Sequence, residues 1–175
     1  MKNRIWTLNK IILIGICLLH LFGCTKKNEY TLSFDTNGGN IVEDIMTDGI
    51  SVIEMPPHPT KQGYVFLGWY WDNESFQNLF TQNAFLITPI TEDTTVYAAW
   101  LISQFTISFN TDGGGIIDSI SRDYNANVIK PDDPIRLGYI FVGWYTDEAK
   151  TKPYTFSTMP AINITLYAKW KINQS

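Results

Sequence analysis

The sequence predicts a mainly β protein with a minor α+β character, built as two tandem small modules. Each module has about four strands and a short helix or loop crossing. Three observations carry this prediction. Tyr30-Thr-Leu-Ser-Phe-Asp-Thr-Asn-Gly-Gly39 returns 75 positions on as Phe105-Thr-Ile-Ser-Phe-Asn-Thr-Asp-Gly-Gly114, and self-similarity at such a period marks a repeated structural unit. Within the repeated blocks apolar and polar residues alternate, the period of a strand with one buried face. The blocks are punctuated by Asn-Gly-Gly, Asp-Gly-Gly and Pro-x-x-Pro segments, which turn or stiffen the chain and do not continue a helix.

The first strand of each module follows directly. Tyr30, Leu32 and Phe34 alternate with Thr31, Ser33 and Asp35, and Phe105, Ile107 and Phe109 repeat the pattern. Asn37-Gly38 and Asp112-Gly113 then predict type I′ turns, because both central positions of such a turn need positive φ. A returning strand is expected within residues 50–55 and 126–130. Pro56, Pro59, Lys61 and Gly63 correspond to Pro131, Pro134, Arg136 and Gly138, an extended connection whose missing amides keep it out of a central ladder.

The third strand carries Tyr64, Phe66, Trp69 and Tyr70, repeated as Tyr139, Phe141, Trp144 and Tyr145. Strict alternation places Phe66 and Trp69 on opposite faces, so Gly68 and Gly143 predict a bulge that turns both rings to one core. Asn73 followed by Phe76, Leu79 and Phe80 predicts a short capped helix in the first copy. Lys152-Pro153-Tyr154 argues against one in the second. The last strand places Val96, Ala98 and Trp100 inward and Tyr97 and Ala99 outward, with Lys169 standing where Ala99 does. This block returns 70 positions on, so the five-residue difference falls in the preceding loop. The resulting boundaries are module 1 at residues 30–100, a linker at 101–104, module 2 at 105–171 and a tail at 172–175.

Ahead of the modules, Lys2, Arg4 and Lys10 precede an apolar run over residues 11–22. A positive start followed by a short apolar stretch reads as a signal peptide, residues 1–23. Twelve residues span about 18 Å as a helix, short of a bilayer's hydrocarbon core. Leu21-Phe22-Gly23-Cys24 resembles the lipobox of bacterial lipoproteins. That resemblance implies cleavage before Cys24, lipidation of Cys24, and attachment to the outer face of the bacterial cytoplasmic membrane or to the cell surface. Residues 24–29 then form a short tether carrying Lys26 and Lys27. Loss of the signal removes three cations from 13 Lys and Arg against 17 Asp and Glu, leaving a net charge of about minus seven. An acidic surface argues against a nucleic-acid partner. With Cys17 cleaved away and Cys24 acylated, no thiol remains for a disulfide, a metal site or a nucleophile.

The order Phe-Asp-Thr-Asn-Gly-Gly, then Pro-x-x-Pro-x-Lys/Arg-x-Gly-Tyr-x-Phe-x-Gly-Trp-Tyr, then Leu/Val-Tyr-Ala-x-Trp, resembles the Listeria-Bacteroides repeat, also called the internalin B-type repeat. The resemblance implies a small β-grasp-like fold in each module. It also implies a non-enzymatic role on bacterial surface or secreted proteins, often adhesins, as an interaction or spacer module, with no catalytic residue, metal or cofactor. Candidate chemistry in the residues themselves is sparse. His58 is the one histidine of the mature chain and sits in a Pro-Pro-His-Pro connector. Asp35-Thr-Asn37-Gly38 has the opening of a calcium loop without the bidentate Glu such a loop needs, so a turn is expected. Asp132-Asp133 and Glu92-Asp93 read as solvated acids, and Asn73-Glu-Ser75 and Asn163-Ile-Thr165 are formal glycosylation sequons. Trp71, beside Tyr70, aligns with Thr146 and is the one candidate for an exposed aromatic platform, against the alternative that so large a ring packs under the longer loop of the first copy. Such a platform serves an alternative function, binding carbohydrate or peptidoglycan, and the expected partners are the membrane through the lipid and an envelope protein or glycan.

Overall fold

The computed structural model describes residues 28–174. The segment expected to be a signal peptide, with Cys17, and the expected lipid-bearing Cys24, Lys26 and Lys27 lie outside the described residues. Two mixed β-sheets follow one another along the chain. The first has the order β2-β1-β5-β3-β4, from β1 (Tyr30–Asp35), β2 (Ile45–Thr47), β3 (Tyr64–Tyr70), β4 (Leu79–Phe80) and β5 (Thr94–Ile102). The second has the order β7-β6-β9-β8, from β6 (Gln104–Asn110), β7 (Ile120–Asp123), β8 (Tyr139–Tyr145) and β9 (Ile164–Ile172). One four-residue helix, α1 (Ala84–Ile87), belongs to the first module. The fold is thus mainly β, with two sheets of five and four strands.

In both sheets the first and last strands of the module are parallel neighbours. Leu32 stands opposite Thr94 and Phe34 opposite Val96, as Ile107 stands opposite Ile164 and Phe109 opposite Leu166. The other pairings are antiparallel. The alternation read from the sequence decides which face is buried: Leu32, Val96 and Ala98 are wholly enclosed in the first module, and Ile107, Leu166 and Ala168 in the second.

The glycine bulge is present in both copies. The register of β3 against β5 shifts between Phe66 and Gly68, with Gly68 at φ 145°, and that of β8 against β9 shifts between Phe141 and Gly143. The extra residue reverses the alternation, so Phe66 and Trp69 meet edge to face at 5.4 Å and Phe141 and Trp144 at 5.3 Å. Each Trp also meets the Phe of the first strand, Phe34 at 4.8 Å and Phe109 at 4.9 Å. Edge-to-face packing places the positive rim of one ring on the negative face of the next.

The turns are of the expected type. Asn37 and Gly38 both have positive φ, and the Gly39 amide donates to the Thr36 carbonyl at 3.1 Å; Asp112, Gly113, Gly114 and Thr111 repeat this. The second glycine has its own cause. A Cβ on Gly39 would lie 2.7 Å from the Trp100 ring, and one on Gly114 would lie 2.6 Å from Trp170. The indole N–H groups of Trp100 and Trp170 donate to the carbonyls of Thr36 and Thr111 at 2.8 and 2.9 Å. Turn and last strand are therefore clasped together.

Several expectations are corrected. The turn does not close a tight hairpin: the returning strand lies at residues 45–47 and 120–123, not within 50–55 and 126–130. The intervening chain is drawn away by the proline connector, where the Asn40 amide donates to the Thr60 carbonyl. The helix expected around Phe76, Leu79 and Phe80 is absent. Leu79 and Phe80 instead form β4 on the edge of β3, with Phe80 opposite Trp69, and the helix begins four residues later. Phe76 takes φ 48°, which ends helical continuity there. In the second module an extended segment with bridges Tyr145–Pro153 and Asn127–Thr158 takes the place of the crossing. Leu101 and Ile102, expected in a linker, extend β5 opposite Val65 and Tyr64, so a single residue, Ser103, lies between the two sheets. Ile172, expected in the tail, ends β9 opposite Tyr139. Ala99, expected outward, is buried, whereas its counterpart Lys169 reaches its ammonium over the Tyr145 ring at 4.8 Å.

Candidate functional site

In the first module, residues between 40 and 58 line a groove of about 820 Å³ beside the edge strand of the sheet. Ligand clefts typically run from about 300 to 1,000 Å³. Ile41, Met46 and Val52 line it and are 86%, 62% and 54% exposed, and Glu43, Asp44 and Glu54 give it an acidic character. β2 lines it and pairs only with β1 among the described residues, so the other edge of β2 has no neighbouring strand there. The loop is not slack. Asp48 accepts the amides of Ile50 and Ser51, and the Ile53 amide reaches the Gln82 carbonyl. The combination of an edge strand with apolar pockets beside it suits an extended polypeptide, which adds main-chain bonds to the edge and seats alternate side chains.

The candidates read from the sequence fall in different places. His58 is exposed on the groove rim, its ring 5.1 Å from that of Phe66. No acid or hydroxyl hydrogen-bonds to it among the described residues. Trp71 does not form a platform. It packs edge to face on Phe80 at 5.0 Å and against Phe85 at 6.1 Å, joining the first core. Tyr70 meets Phe76 at 5.6 Å. The Asp35 carboxylate accepts the Asn37 amide, and Asn37 in turn donates to the Ala98 carbonyl and to Asn73, so this segment is a turn. No group of three or more His, Cys, Asp or Glu that could hold a metal ion occurs among the described residues.

Asp93 is not simply solvated: its carboxylate accepts the Thr31 amide at 2.7 Å, and Asn163 does the same for Thr106 at 2.8 Å. Asp133 pairs with Lys130 at 2.5 Å. No helix among the described residues is long and apolar enough to cross a membrane.

Two features escaped the sequence reading. Asp72 closes the loop after β3 and its pKa is lowered to about 2, first by the Ser75 hydroxyl, with the amides of Asn78, Phe76 and Ser75 outweighing the opposing desolvation. Its counterpart Asp147 does likewise. Desolvation is the largest single influence there and raises the pKa, yet the combined bonds from Lys152 and Thr151 leave it lowered. The signal was present as an Asp two residues after each Tyr70 or Tyr145, followed by Ser75 or Thr151.

The second missed feature is the junction. The Ser103 amide donates to the Gly63 carbonyl at 2.9 Å, and the Tyr124 amide donates to the Ser103 carbonyl at 2.8 Å. The Tyr124 ring lies edge-on to Tyr64 and to Phe105. It stands so close to Gly63 that a Cβ there would come within 2.1 Å of it. Tyr124 occurs in one copy alone, since Gly49 stands at its position in the first.

Comparison with known proteins matches residues 30–99 and 105–169 to the Listeria-Bacteroides repeat domain. A relative from Evansella cellulosilytica, described as "Putative membrane protein", is 39% identical over 156 residues, covering 88% of this chain and 23% of its own length. A second from the same organism, "Putative Gly-rich membrane protein", is 36% identical over 87% of this chain and 17% of its own. Internalin H of Listeria monocytogenes serovar 1/2a is 33% identical over 83% of this chain and 26% of its own. The chain thus spans about a quarter or less of these relatives' length. With both modules matched in full succession, the chain belongs to the Listeria-Bacteroides repeat domain family.

Proposed function

We propose that this is a non-enzymatic protein of the bacterial cell envelope, anchored through lipid on Cys24, whose two repeats serve as an interaction and spacer unit. The observation that carries the reading is the acidic, apolar-floored groove beside the open edge of β2. It offers main-chain and side-chain contact to an extended protein segment. The relatives' descriptions as membrane proteins and as an internalin support an envelope setting. The same reading takes each module as a β-grasp variant in which a loop has largely replaced the crossing helix, supported by the parallel pair at the centre of each sheet.

Two measurements test it. Cys24→Ser should move the protein from the membrane to the soluble fraction of bacterial cells, and retention on the membrane would remove the anchor. A photocrosslinker at Met46 should capture a protein neighbour on intact cells, and Val52→Lys should abolish that capture. Capture of wall glycan alone, or capture indifferent to Val52→Lys, would overturn the groove as the contact.

A further inference from the structure

The open edges of the two sheets share one geometry and carry different charge. In module 1 the Thr31 amide donates to the Asp93 carboxylate at 2.7 Å, and in module 2 the Thr106 amide donates to the Asn163 side-chain carbonyl at 2.8 Å. Both acceptors stand just ahead of the last strand of their module, the parallel neighbour of the first. On the other side, Thr31 is opposite Met46 and Thr106 is opposite Ser121. Directly opposed residues of an antiparallel pair exchange both main-chain bonds or neither. Since Thr31 and Thr106 turn their amides the other way, Met46 and Ser121 belong to the second kind. Their N–H and C=O groups therefore point away from the sheet, where one residue of an added strand can meet them.

The surroundings of these two positions differ. Glu43, Asp44, Asp48 and Glu54 line the groove beside β2, with no lysine or arginine among its described lining residues. At the equivalent positions, 75 residues on, module 2 has Asp118, Ser119, Asp123 and Ile129, and it adds Arg122 in place of Thr47 and Lys130 in place of Met55. Four carboxylates without a cation in one module thus correspond to two carboxylates and two cations in the other. Asp48 is engaged by the Ile50 and Ser51 amides. Glu43, Asp44 and Glu54 are exposed and form no ion pair among the described residues. Ile41, Met46 and Val52 stand exposed among these acids, where module 2 has Ile116, Ser121 and Asn127.

We propose that the groove of module 1 takes an extended protein segment in which lysine or arginine alternates with apolar residues, paired through its main chain to Met46. Carboxylates gathered without counter-ions attract a cationic partner and repel an acidic one. Lysine and arginine also bring aliphatic stems that can cover Ile41 and Val52 while their charged heads reach Glu43, Asp44 and Glu54. The chain is itself acidic, with 17 Asp and Glu against 13 Lys and Arg, which disfavours a second copy as the occupant. The inference rests on the groove being a contact for an extended segment and adds the chemistry of the partner.

The test is titration of the isotope-labelled protein with short synthetic peptides that alternate valine with lysine, with serine or with glutamate, followed through amide resonances and hydrogen exchange. The lysine peptide should move the signals of residues 43–48, slow exchange of the Met46 amide and leave that of Ser121 unchanged. Its binding to Glu43→Gln/Glu54→Gln should be about fivefold weaker, the modest loss expected for two exposed ion pairs. The serine peptide should bind more weakly than the lysine peptide, and the glutamate peptide should not bind. Equal binding by the serine peptide would overturn the charge inference and leave the groove reading standing, whereas silence with all three would remove both. The inference is equally overturned if the lysine peptide shifts signals evenly over the acids of both modules, or if exchange at Met46 is unaltered. Two further results would show the groove already filled and overturn it as well: dimers of the protein in which these signals are displaced, or displacement by Lys26→Gln/Lys27→Gln without peptide.

Discussion

Gly63 and Gly138 adopt one backbone angle and differ in what faces them, which makes them a matched pair of probes. Replacing Gly138 with alanine forces a side chain into a left-handed conformation, at a cost of about 1–2 kcal/mol. Gly63→Ala carries the same penalty and also drives a methyl into the Tyr124 ring, a further cost of about 1–3 kcal/mol as in other overpacked sites. Urea unfolding of the two variants measures the difference, and equal losses would mean that the ring is free to move aside. Asp72 supplies a second test. Its folded pKa of about 2 lies below the ordinary 3.8, so the unfolded chain binds its proton first as pH falls. The stabilisation from this loop is therefore complete above the ordinary value and is lost on descent through about 2. Asp72→Asn should flatten the acid dependence of thermal unfolding in that window. Part of the slope will persist, because Asp147 and Asp112 are lowered too, the latter chiefly by its hydrogen bond from Lys150. An unchanged slope would show that the Asp72 loop does not form in solution.

The bulges are the elements on which each core depends, since one extra residue sends Phe66 and Trp69 to the same side. Gly68→Val disfavours the φ of 145° that the bulge uses, and a strand that keeps its length without the bulge returns to plain alternation and turns the Trp69 ring toward solvent. The expected cost is about 3–5 kcal/mol, the usual range for losing a buried aromatic, read as loss of the near-ultraviolet dichroism of the first module. Survival of that signal would show that the strand re-registers without harm. This device was legible in advance, because two large rings of opposite parity reach one core only if a residue between them is looped out, and glycine tolerates that position. The strand pattern, the turns and the burial of Val96, Ala98 and their counterparts were legible for the same reason: local backbone chemistry and side-chain period fix them. Placement of the returning strand was not, because β2 is three residues long and is set by the path of the proline connector, a long-range effect. The misplaced helix has a similar cause. Phe76, Leu79 and Phe80 have helical spacing, but Asp72 gathers the local amides into a loop and frees Leu79 and Phe80 to extend the sheet. The groove was invisible because it arises from how residues between 40 and 58 lie beside an edge strand, and no residue in it belongs to a recognisable motif. That Trp71 packs under the longer loop of the first copy was legible from the size of its ring, whereas its partners Phe80 and Phe85 were not, because they are brought to it by elements expected elsewhere.

At the scale of the molecule, two cores that share no residue are joined by Ser103 and the Tyr124 contact. Tyr124→Ala should leave both sheets intact and uncouple them, so that calorimetric unfolding resolves into two transitions where the unaltered chain shows closer coupling. A single unchanged transition would assign the coupling to the Ser103 hydrogen bonds alone.

The central pairing has a mechanical corollary. Each module is entered through one strand and left through its parallel neighbour, so tension along the polypeptide drags those two strands past each other lengthwise. All the bonds between them then bear the load together, and none can be peeled open in sequence. A module threaded in this way resists extension far better than its modest size would indicate.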